Sequence, residues 1–308
     1  MNQEGNKCVV VLSTKSSGSS AIQRLLAALS CSRRVRYTRH GENETLYWTK
    51  AASALGLPQI KMLDSEVPIA PRRARRELLA FLRKNTGESR RTQDTRQWVF
   101  DGWERLCQTH RPVFLEKSPH HLVQWAALEL MLDCDVSLSS TEFLYVGLVR
   151  NPMDALYSAW SRWRTFPEYA QFEWELAYRN LEGLRARLGE RLVVVRYEDI
   201  VQDLASLAPV IEFVGAGQDE LPTDFLHARS VNKRRDDPRY GFQLALSVRE
   251  LASTFGYDEV DLEHREVQGW ERYRDRARRL YEAQRVVRAP FQRFRRVAKH
   301  LLNRSPAH

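Results

Sequence analysis

A short polar loop, "TKSSGSS" at residues 14–20, follows the apolar stretch "KCVVVLS". Six of its seven residues carry a hydroxyl group or are glycine, and Lys15 supplies the only charge. Where such a loop opens a helix, unpaired backbone N–H groups carrying partial positive charge suit a phosphate or sulfate group. An ordinary serine-capped helix is the alternative. The candidate anion ligands are the polar residues of this loop: Lys15, Ser16, Ser17, Gly18, Ser19 and Ser20.

The loop differs from the phosphate-binding loop of nucleotide kinases. That motif, G-x-x-x-x-G-K-[ST], requires a lysine directly after its last glycine. Here Ser19 follows Gly18. The sequence therefore argues against a P-loop phosphotransferase, an alternative that a magnesium requirement would support.

A second candidate anion site lies in "LYVGLVRNPMDALYSAW", residues 144–160. An apolar run ends at Arg150, and a predicted helix carries Ser158 two turns after it begins. Arginine makes forked, charge-assisted contacts with phosphate, and serine adds a hydroxyl donor. We therefore expect Arg150 and Ser158 to bind one phosphate together.

Two further apolar runs end in polar residues. In "VFLEKSPHHL", residues 113–122, the run ends at Glu116, Lys117 and Ser118. In "RLVVVRYEDI", residues 191–200, it ends at Arg196. We expect these segments to lie at the same edge of the fold as the first loop, because the carboxyl ends of parallel strands meet there.

The apolar runs are short and lack strict alternation, which is typical of buried parallel strands. Segments with helical spacing separate them, so the sequence predicts an α/β fold, a single P-loop-like domain with a parallel central sheet flanked by helices. The predicted strands are 7–12, 112–116, 143–149 and 191–196. The predicted helices are 19–29, 44–55, 71–84, 119–132, 152–164, 168–188, 203–214 and 241–254. The charge-rich segment 70–94 is predicted to be a mobile helical insertion that acts as a lid.

Composition bounds the class of protein. The chain has 308 residues, of which 43% are apolar, and this is enough for a full core. The four cysteines lack the spacing of a zinc site. No apolar stretch reaches the length of a signal peptide or a transmembrane helix. These observations predict a cytoplasmic protein.

The positive charge is concentrated at one end of the chain. Residues 264–308 hold thirteen basic and four acidic residues, a net charge of +9 that equals the net charge of the whole chain. Pro290 is the predicted start of a basic amphipathic helix. Such a helix can lie on an anionic membrane or bind an acidic polymer. The alternative, which we favour from the sequence, is a solvated helix whose aromatic stripe docks on the core.

The four polar segments, in this order, resemble those of sulfotransferases that use 3′-phosphoadenosine 5′-phosphosulfate (PAPS). The matching stretches are "STKSSGSS", "EKSP", "LVRNPMDALYSAW" and "VVVRYEDI". The resemblance runs from about residue 7 to residue 215. It implies a sulfotransferase domain over residues 1–263, followed by the basic helical extension 264–308.

The resemblance assigns the nucleotide ligands. In that family the first loop, here Ser17–Ser20, holds the 5′-phosphosulfate, and the residues matching Arg150 and Ser158 hold the 3′-phosphate. Members usually have a basic residue where this chain has Ser16, so either the loop is longer or Lys15 reaches round. The late loop "HARSVNKRRDDP", residues 227–238, resembles the segment that closes over the 3′-phosphate. It makes Lys233 and Arg234 candidate ligands, with a solvated basic surface as the alternative.

The resemblance also suggests the acid–base residues. The segment "HGENETLYW", residues 40–48, resembles the stretch that carries a glutamate base in heparan-type and tyrosylprotein sulfotransferases, and the match places the base at Glu44. The lysine matching Lys117 lies in the active site of heparan-type enzymes, where an ammonium can stabilise the leaving phosphate; a surface ion pair with Glu116 is its alternative. The remaining candidates for the base are Glu42, His40, His120 and His121.

The resemblance implies direct transfer of a sulfuryl group from PAPS to an acceptor hydroxyl. No metal is expected, because Lys15, Lys117 and the loop donors supply positive charge. The glutamate base and the basic extension favour a glycan or glycolipid acceptor, and a small molecule or a tyrosine is the alternative. Contact of residues 264–308 with a membrane surface or an acidic polymer is also expected, and nucleic acid is not an expected partner. A non-catalytic binder of acidic polymers is the alternative outside enzymes.

Overall fold

The computed structural model describes residues 6–87, 92–217, 220–222, 225–226 and 230–302, without the side chains of 287–302. Its centre is a parallel sheet in the order β2-β3-β1-β4-β5. The strands are β1 (Asn6–Leu12), β2 (Ser32–Arg33), β3 (Val113–Lys117), β4 (Thr141–Val149) and β5 (Leu192–Arg196). The predicted α/β fold with a parallel central sheet is therefore confirmed.

Helices cover both faces of this sheet. Cys8 and Val10 of β1 belong to one buried cluster, and Val9 and Val11 belong to the other, because successive strand residues point to opposite faces. The helices are α1 (Ser19–Ala27), α2 (Tyr47–Leu55), α3 (Pro71–Thr86), α4 (Thr95–Thr109), α5 (Trp125–Ser137), α6 (Pro152–Trp163), α7 (Pro167–Leu188), α8 (Tyr197–Gln202), α9 (Ala208–Val214), α10 (Leu246–Thr254) and α11 (Trp270–Leu302).

Some elements differ from the sequence prediction. Strand β2 is only two residues long, too short to produce a pattern, and it is held by pairing with Val113 and Phe114. Helix α4 contains Gly102, which argues locally against a helix. A β-carbon there would lie 2.7 Å from both Leu82 Cδ1 and Tyr47 Oη, so the glycine permits close packing of α4 on α2 and α3.

Other predicted helices have different limits. The helix predicted from residue 119 begins at Trp125, because residues 119–123 form turns. The helix predicted for 203–214 is divided into a 3₁₀ turn, Leu204–Leu207, and α9. The C-terminal helix begins at Trp270, so the prediction that Pro290 starts it is wrong.

Helix α3 occupies most of the predicted insertion 70–94. Its apolar side, with Ala74, Leu78 and Phe81, is buried in the larger core cluster. Residues 88–91 lie outside the described residues. Motion of the segment stays a prediction.

The first half of α11 packs against the body of the protein. The Trp270 ring lies edge-on to Trp160 at 5.4 Å and to Tyr240 at 5.1 Å. One turn and two turns later, Arg274 pairs with Glu168 at 2.6 Å and Arg278 pairs with Asp64 at 3.1 Å. This face of α11 therefore continues from the aromatic core toward the carboxyl edge of the sheet.

Candidate active site

A cavity of about 990 Å³ lies at the carboxyl edge of the sheet. The loops after β1, β3, β4 and β5 all contribute to its lining, together with the segment before α2, one side of α6 and the middle of α11. All four sequence segments therefore reach one place, although two of them line the cavity through Pro119, His120 and Tyr197 and not through the predicted Lys117 and Arg196. The predicted site residues in the lining are Lys15, Ser16, Gly18, Ser19, Ser20, Glu44, Arg150 and Ser158.

The loop after β1 is shaped by Gly18. This residue has φ 89°, in the left-handed region, and a β-carbon there would lie 2.3 Å from the ring of Tyr197. Helix α1 follows directly, and its first backbone bonds run from Ala21 and Ile22 to the Gly18 carbonyl. The N–H groups of Ser19 and Ser20 precede these bonds and face no helical acceptor. The loop thus has the backbone geometry of an anion site.

The hydroxyl groups of the loop do not all face the cavity. The Ser17 side chain is fully buried, and its Oγ lies 2.5 Å from Thr14 Oγ1 and 3.3 Å from Tyr178 Oη. Ser17 can therefore serve an anion only through its backbone. Ser20 Oγ instead accepts a hydrogen bond from Lys117 Nζ at 3.2 Å.

Lys15 reaches across the cavity. Its Nζ donates to the carbonyl oxygen of Leu63 at 2.5 Å and lies 3.6 Å from Glu173 Oε2. The loop itself therefore has no basic side chain folded back on its N–H groups, and Ser16 adopts a left-handed φ of 65°.

Arg150 lies at the end of β4, buried to 5% exposure. Its Nη1 donates to the Ser16 carbonyl at 2.8 Å and its Nη2 donates to the Ser230 carbonyl at 2.6 Å. Its guanidinium also lies 4.9 Å from the centre of the Tyr197 ring. Within the described part of the chain, Arg150 Nε makes no hydrogen bond. A buried cation held by neutral carbonyls, with a donor to spare, is suited to binding an anion.

The late basic loop is placed differently from Arg150. Lys233 is exposed and does not line the cavity. Arg234 is buried, but it donates to the carbonyls of Glu263 and Asp261 and lies 3.5 Å from Asp154. The structure therefore does not bring Lys233 or Arg234 together with Arg150 and Ser158. Residues 227–229 of this loop lie outside the described residues.

Glu44 lines the cavity and pairs with Lys117, which is buried and does not itself line it. Lys117 at the end of β3 is fully buried, and its Nζ donates to Glu44 Oε1 at 3.3 Å and to the Glu42 carbonyl at 3.0 Å. Burial raises the pKa of Glu44, and Lys117 partly opposes this shift. Burial lowers the pKa of Lys117, and Glu44 partly opposes that shift. The pair thus combines a carboxylate made more basic by burial with an ammonium aimed at the first loop.

The histidine candidates are less suited to proton removal. His120 Nδ1 lies 3.8 Å from Glu44 Oε2, but burial lowers the pKa of His120 to about 3, which makes it a weak base. His40 lies beside Glu66 and does not line the cavity. His121 is fully buried and faces Glu116. The side chain of Glu42 pairs with Arg24 at 2.6 Å on the surface.

Tyr197 and the α11 residues were missed by sequence reasoning. Tyr197 touches Gly18 and Arg150, and its hydroxyl lies 3.1 Å from Ser230 Oγ. The only signal for it was an aromatic residue directly after the fourth strand. Tyr281, Gln284 and Arg285 line the cavity from α11, and nothing local in the sequence indicates this. The described residues contain no cluster of His, Cys, Asp or Glu that could hold a metal ion.

Comparison with known proteins gives a family match and several solved structures of the same fold. A model of the sulfotransferase family matches residues 8–220. Comparison with curated protein sequences gives no significant match. None of the helices in the described ranges is both long and apolar enough to cross a membrane.

Solved structures share the fold. The sulfotransferase domain of the Synechococcus PCC 7002 olefin synthase superposes with a TM-score of 0.53 at 19% identity, covering 82% of this chain and 96% of that domain. The sulfotransferase domain from the curacin biosynthetic pathway gives a TM-score of 0.50 at 16% identity, covering 81% and 97%. At these identities the likeness concerns the fold.

Proposed function

Because this chain belongs to the sulfotransferase family, whose members take sulfate from PAPS, we propose that the cavity binds PAPS and passes its sulfuryl group to the hydroxyl of a glycan or glycolipid. The observation that carries the proposal is Arg150, a buried guanidinium with an unpartnered Nε beside a loop of free N–H groups. Both kinds of anion site that a 3′,5′-bisphosphorylated nucleotide requires thus lie at one edge of the sheet.

In the proposed complex the backbone of Ser17–Ser20 holds the 5′-phosphosulfate. Arg150 and Ser158 hold the 3′-phosphate, and the Tyr197 ring fixes both Gly18 and Arg150. Lys233 and Arg234 have no part in this arrangement of side chains. The buried donors around Arg150 and the glycine at the close approach fit such a ligand.

The proposed reaction is an in-line displacement at sulfur. The acceptor oxygen forms a bond to sulfur while the bond from sulfur to the 5′-phosphate oxygen breaks. The acceptor proton passes to Glu44, and the electron pair of the broken bond stays on the phosphate oxygen. Lys117 lies between Glu44 and Ser20 of the first loop, where its charge can stabilise that oxygen. Lys15 also lines the cavity and contributes its charge there, shared with Glu173.

Replacing Arg150 tests the nucleotide site. We expect Arg150→Ala to weaken binding of 3′-phosphoadenosine 5′-phosphate about tenfold or more, because a hydrogen bond to a charged group contributes about 1.5–3 kcal/mol. Binding of adenosine 5′-phosphate, which lacks the 3′-phosphate, should change far less. Calorimetry with both ligands measures the difference, and an equal loss for the two would show that Arg150 does not bind the 3′-phosphate.

Two features support a glycan or glycolipid as the acceptor: the glutamate base, and the side chains that α11 adds to the cavity lining. Glutamate bases occur in the carbohydrate and tyrosylprotein branches that the sequence resembles, and the aromatic and polar side chains of Tyr281 and Gln284 suit a sugar ring. We also propose that the basic part of α11 brings the protein to an anionic surface that carries the acceptor. Transfer of ³⁵S-sulfate from PAPS to a panel of a glycolipid, an oligosaccharide, a phenol and a tyrosine peptide tests this class. Labelling of only the last two would contradict it.

A comparison of Arg285 with Arg279 distinguishes a local role of α11 in acceptor binding from a long-range effect of its positive charge. Arg285 lines the cavity, whereas Arg279 is an equally exposed arginine of the same helix that does not. We expect Arg285→Ala to raise the acceptor KM about two- to fivefold, the size of an exposed ion pair, and Arg279→Ala to leave it unchanged. Steady-state kinetics at low salt measure both. Equal effects would mean that α11 acts only through long-range charge.

A further inference from the structure

We infer that Glu116 is a positioning residue that fixes the placement of Glu44 relative to Lys117. This inference rests on the proposed function, in which those two residues handle the proton and the leaving phosphate. Glu116 precedes Lys117 on β3, is fully buried and does not line the cavity. Its carboxylate contacts Thr45, Ser118 and His121, so it acts through these neighbours.

One carboxylate oxygen joins the two segments that carry the pair. Glu116 Oε1 accepts hydrogen bonds from Ser118 Oγ at 2.6 Å and from Thr45 Oγ1 at 2.7 Å. Ser118 directly follows Lys117, and Thr45 directly follows Glu44. The same oxygen thus fixes the residue after each member of the pair.

Further hydrogen bonds strengthen the contact between the start of α2 and the end of β3, which we call the junction. The Leu46 N–H donates to Ser118 Oγ at 3.0 Å, and the Tyr47 N–H donates to Thr45 Oγ1 at 3.0 Å. The start of α2 is therefore attached to the end of β3 through two hydroxyl groups. An ionised carboxylate accepts hydrogen bonds from both hydroxyl groups and offers no donor of its own. No apolar side chain can fill this role.

The segment that carries Glu44 needs such attachment. Glu42, Asn43 and Leu46 have φ values of 52°, 54° and 50°, in the left-handed region that is unfavourable for residues with a β-carbon. Residues in such conformations persist where the surrounding structure holds them. Asn43 is held by Val35 and Gln23, and Thr45 is held by Glu116. The Glu116 contact, together with the bonds from Lys117 to Glu42 and Glu44, links this segment to the end of β3.

The other carboxylate oxygen faces a second buried group. Glu116 Oε2 lies 3.6 Å from Nδ1 of His121, which is also fully buried. His121 and the two hydroxyl donors lower the pKa of Glu116, so the carboxylate stays ionised. An ionised carboxylate in the interior is costly unless it is compensated. Thr45 and Ser118 donate to Oε1, whereas Oε2 faces His121 and makes no hydrogen bond within the described part of the chain.

The first test replaces one hydroxyl by a methyl group of the same shape. Thr45→Val removes the bond to Glu116 together with the acceptor of the Tyr47 N–H, and Thr49→Val is its control. Thr49 is equally buried in the same segment, but its Oγ1 bonds only to the Leu46 carbonyl, at 3.1 Å. We expect Thr45→Val to lower kcat about 10- to 100-fold, because small misplacements of reacting groups have effects of that size. Affinity for 3′-phosphoadenosine 5′-phosphate should stay within about twofold, since that nucleotide does not contact this junction.

The second test uses the charge of Glu116. Its negative charge raises the pKa of Glu44, which also faces Lys117, His120 and Glu42. Glu116→Gln keeps an oxygen acceptor for both hydroxyls but removes that charge, so kcat should be largely retained and its acidic limb should move to lower pH. Glu116→Leu, which removes the acceptor, should lose turnover. If Glu116→Gln retains kcat and Glu116→Leu loses it, Glu116 acts by positioning Glu44 and Lys117. A residue needed only for folding would not give this difference.

The outcomes separate this inference from the proposed function. If wild-type protein binds the nucleotide but transfers no sulfate to any acceptor, the proposed function fails. If wild-type protein is active and Thr45→Val loses no more kcat than Thr49→Val, the inference is wrong. It is also wrong if Glu116→Gln leaves the acidic limb of kcat where it lies in the wild type.

Discussion

Glu44→Gln lowers kcat by about 10²-fold or more and leaves the affinity for 3′-phosphoadenosine 5′-phosphate nearly unchanged, if Glu44 removes the acceptor proton. Glutamine keeps the length and the hydrogen-bonding reach of the side chain toward Lys117, 3.3 Å away, but has no basicity. The effect should therefore fall on kcat and not on nucleotide binding. Turnover with a saturating acceptor and calorimetry with the nucleotide give the two quantities.

The pH dependence of the wild-type enzyme supplies a second measurement for Glu44. A base must be deprotonated to act, and burial raises the pKa of Glu44 above its ordinary value. Turnover should therefore fall as the pH drops through a value above that of an ordinary glutamate. The control is Glu42→Gln, a half-exposed carboxylate paired with Arg24, which should change kcat much less. Near-normal turnover of Glu44→Gln, with loss in a His120 or His40 variant, would show that a histidine and not Glu44 removes the acceptor proton.

Lys117→Met is expected to lower kcat by about 10²- to 10³-fold, the size found when one group that stabilises developing charge is removed. Methionine fills the same buried space without the charge. Glu44 then loses the partner that lowers its pKa, so the pKa of Glu44 rises and the acidic limb of kcat moves to higher pH. This direction is opposite to the one expected for Glu116→Gln.

Lys50→Met is the matched control for Lys117→Met. Lys50 is also almost fully buried and paired with a carboxylate, Glu77, at 3.5 Å. It donates to the Thr45 carbonyl at 3.2 Å, whereas Lys117 donates to the side chains of Glu44 and Ser20. Both variants leave a buried carboxylate without its lysine, so both should lower the free energy of unfolding. Only Lys117→Met should lower kcat in the fraction that remains folded. Equal kcat values for the two folded variants would remove Lys117 from the reaction.

The strand-end half of the site was predictable from the sequence. Gly18, Arg150 and Lys117 each follow a short apolar run, and parallel strands bring such ends together whatever the details of packing. The pairing of Glu44 with Lys117 required more, because Glu44 lies in a segment of left-handed residues that no propensity pattern predicts. Resemblance to a family, and not periodicity, indicated its place.

The remaining features depend on packing between distant segments. Arg234 was predicted as a phosphate ligand, but Asp154 and the carbonyls of Asp261 and Glu263 engage its guanidinium away from the cavity. Helix α4 was missed because Gly102 is unfavourable in an isolated helix and favourable only where α2 and α3 come close. Such contacts are set by tertiary structure and leave no local trace in the sequence.

The two walls of the cavity differ in how freely they can change during evolution. The wall of strand ends is fixed by sheet pairing and by Tyr197 against Gly18, so a substitution there disturbs several elements at once. The wall from α11 is one face of a helix attached upstream at Trp270 and Arg278, and Gln284 and Arg285 are exposed beyond that attachment. Substitutions at these two positions alter the wall without altering the sheet. If α11 binds the acceptor as proposed, selection for a different acceptor can act on α11 alone, while the wall of strand ends stays unchanged.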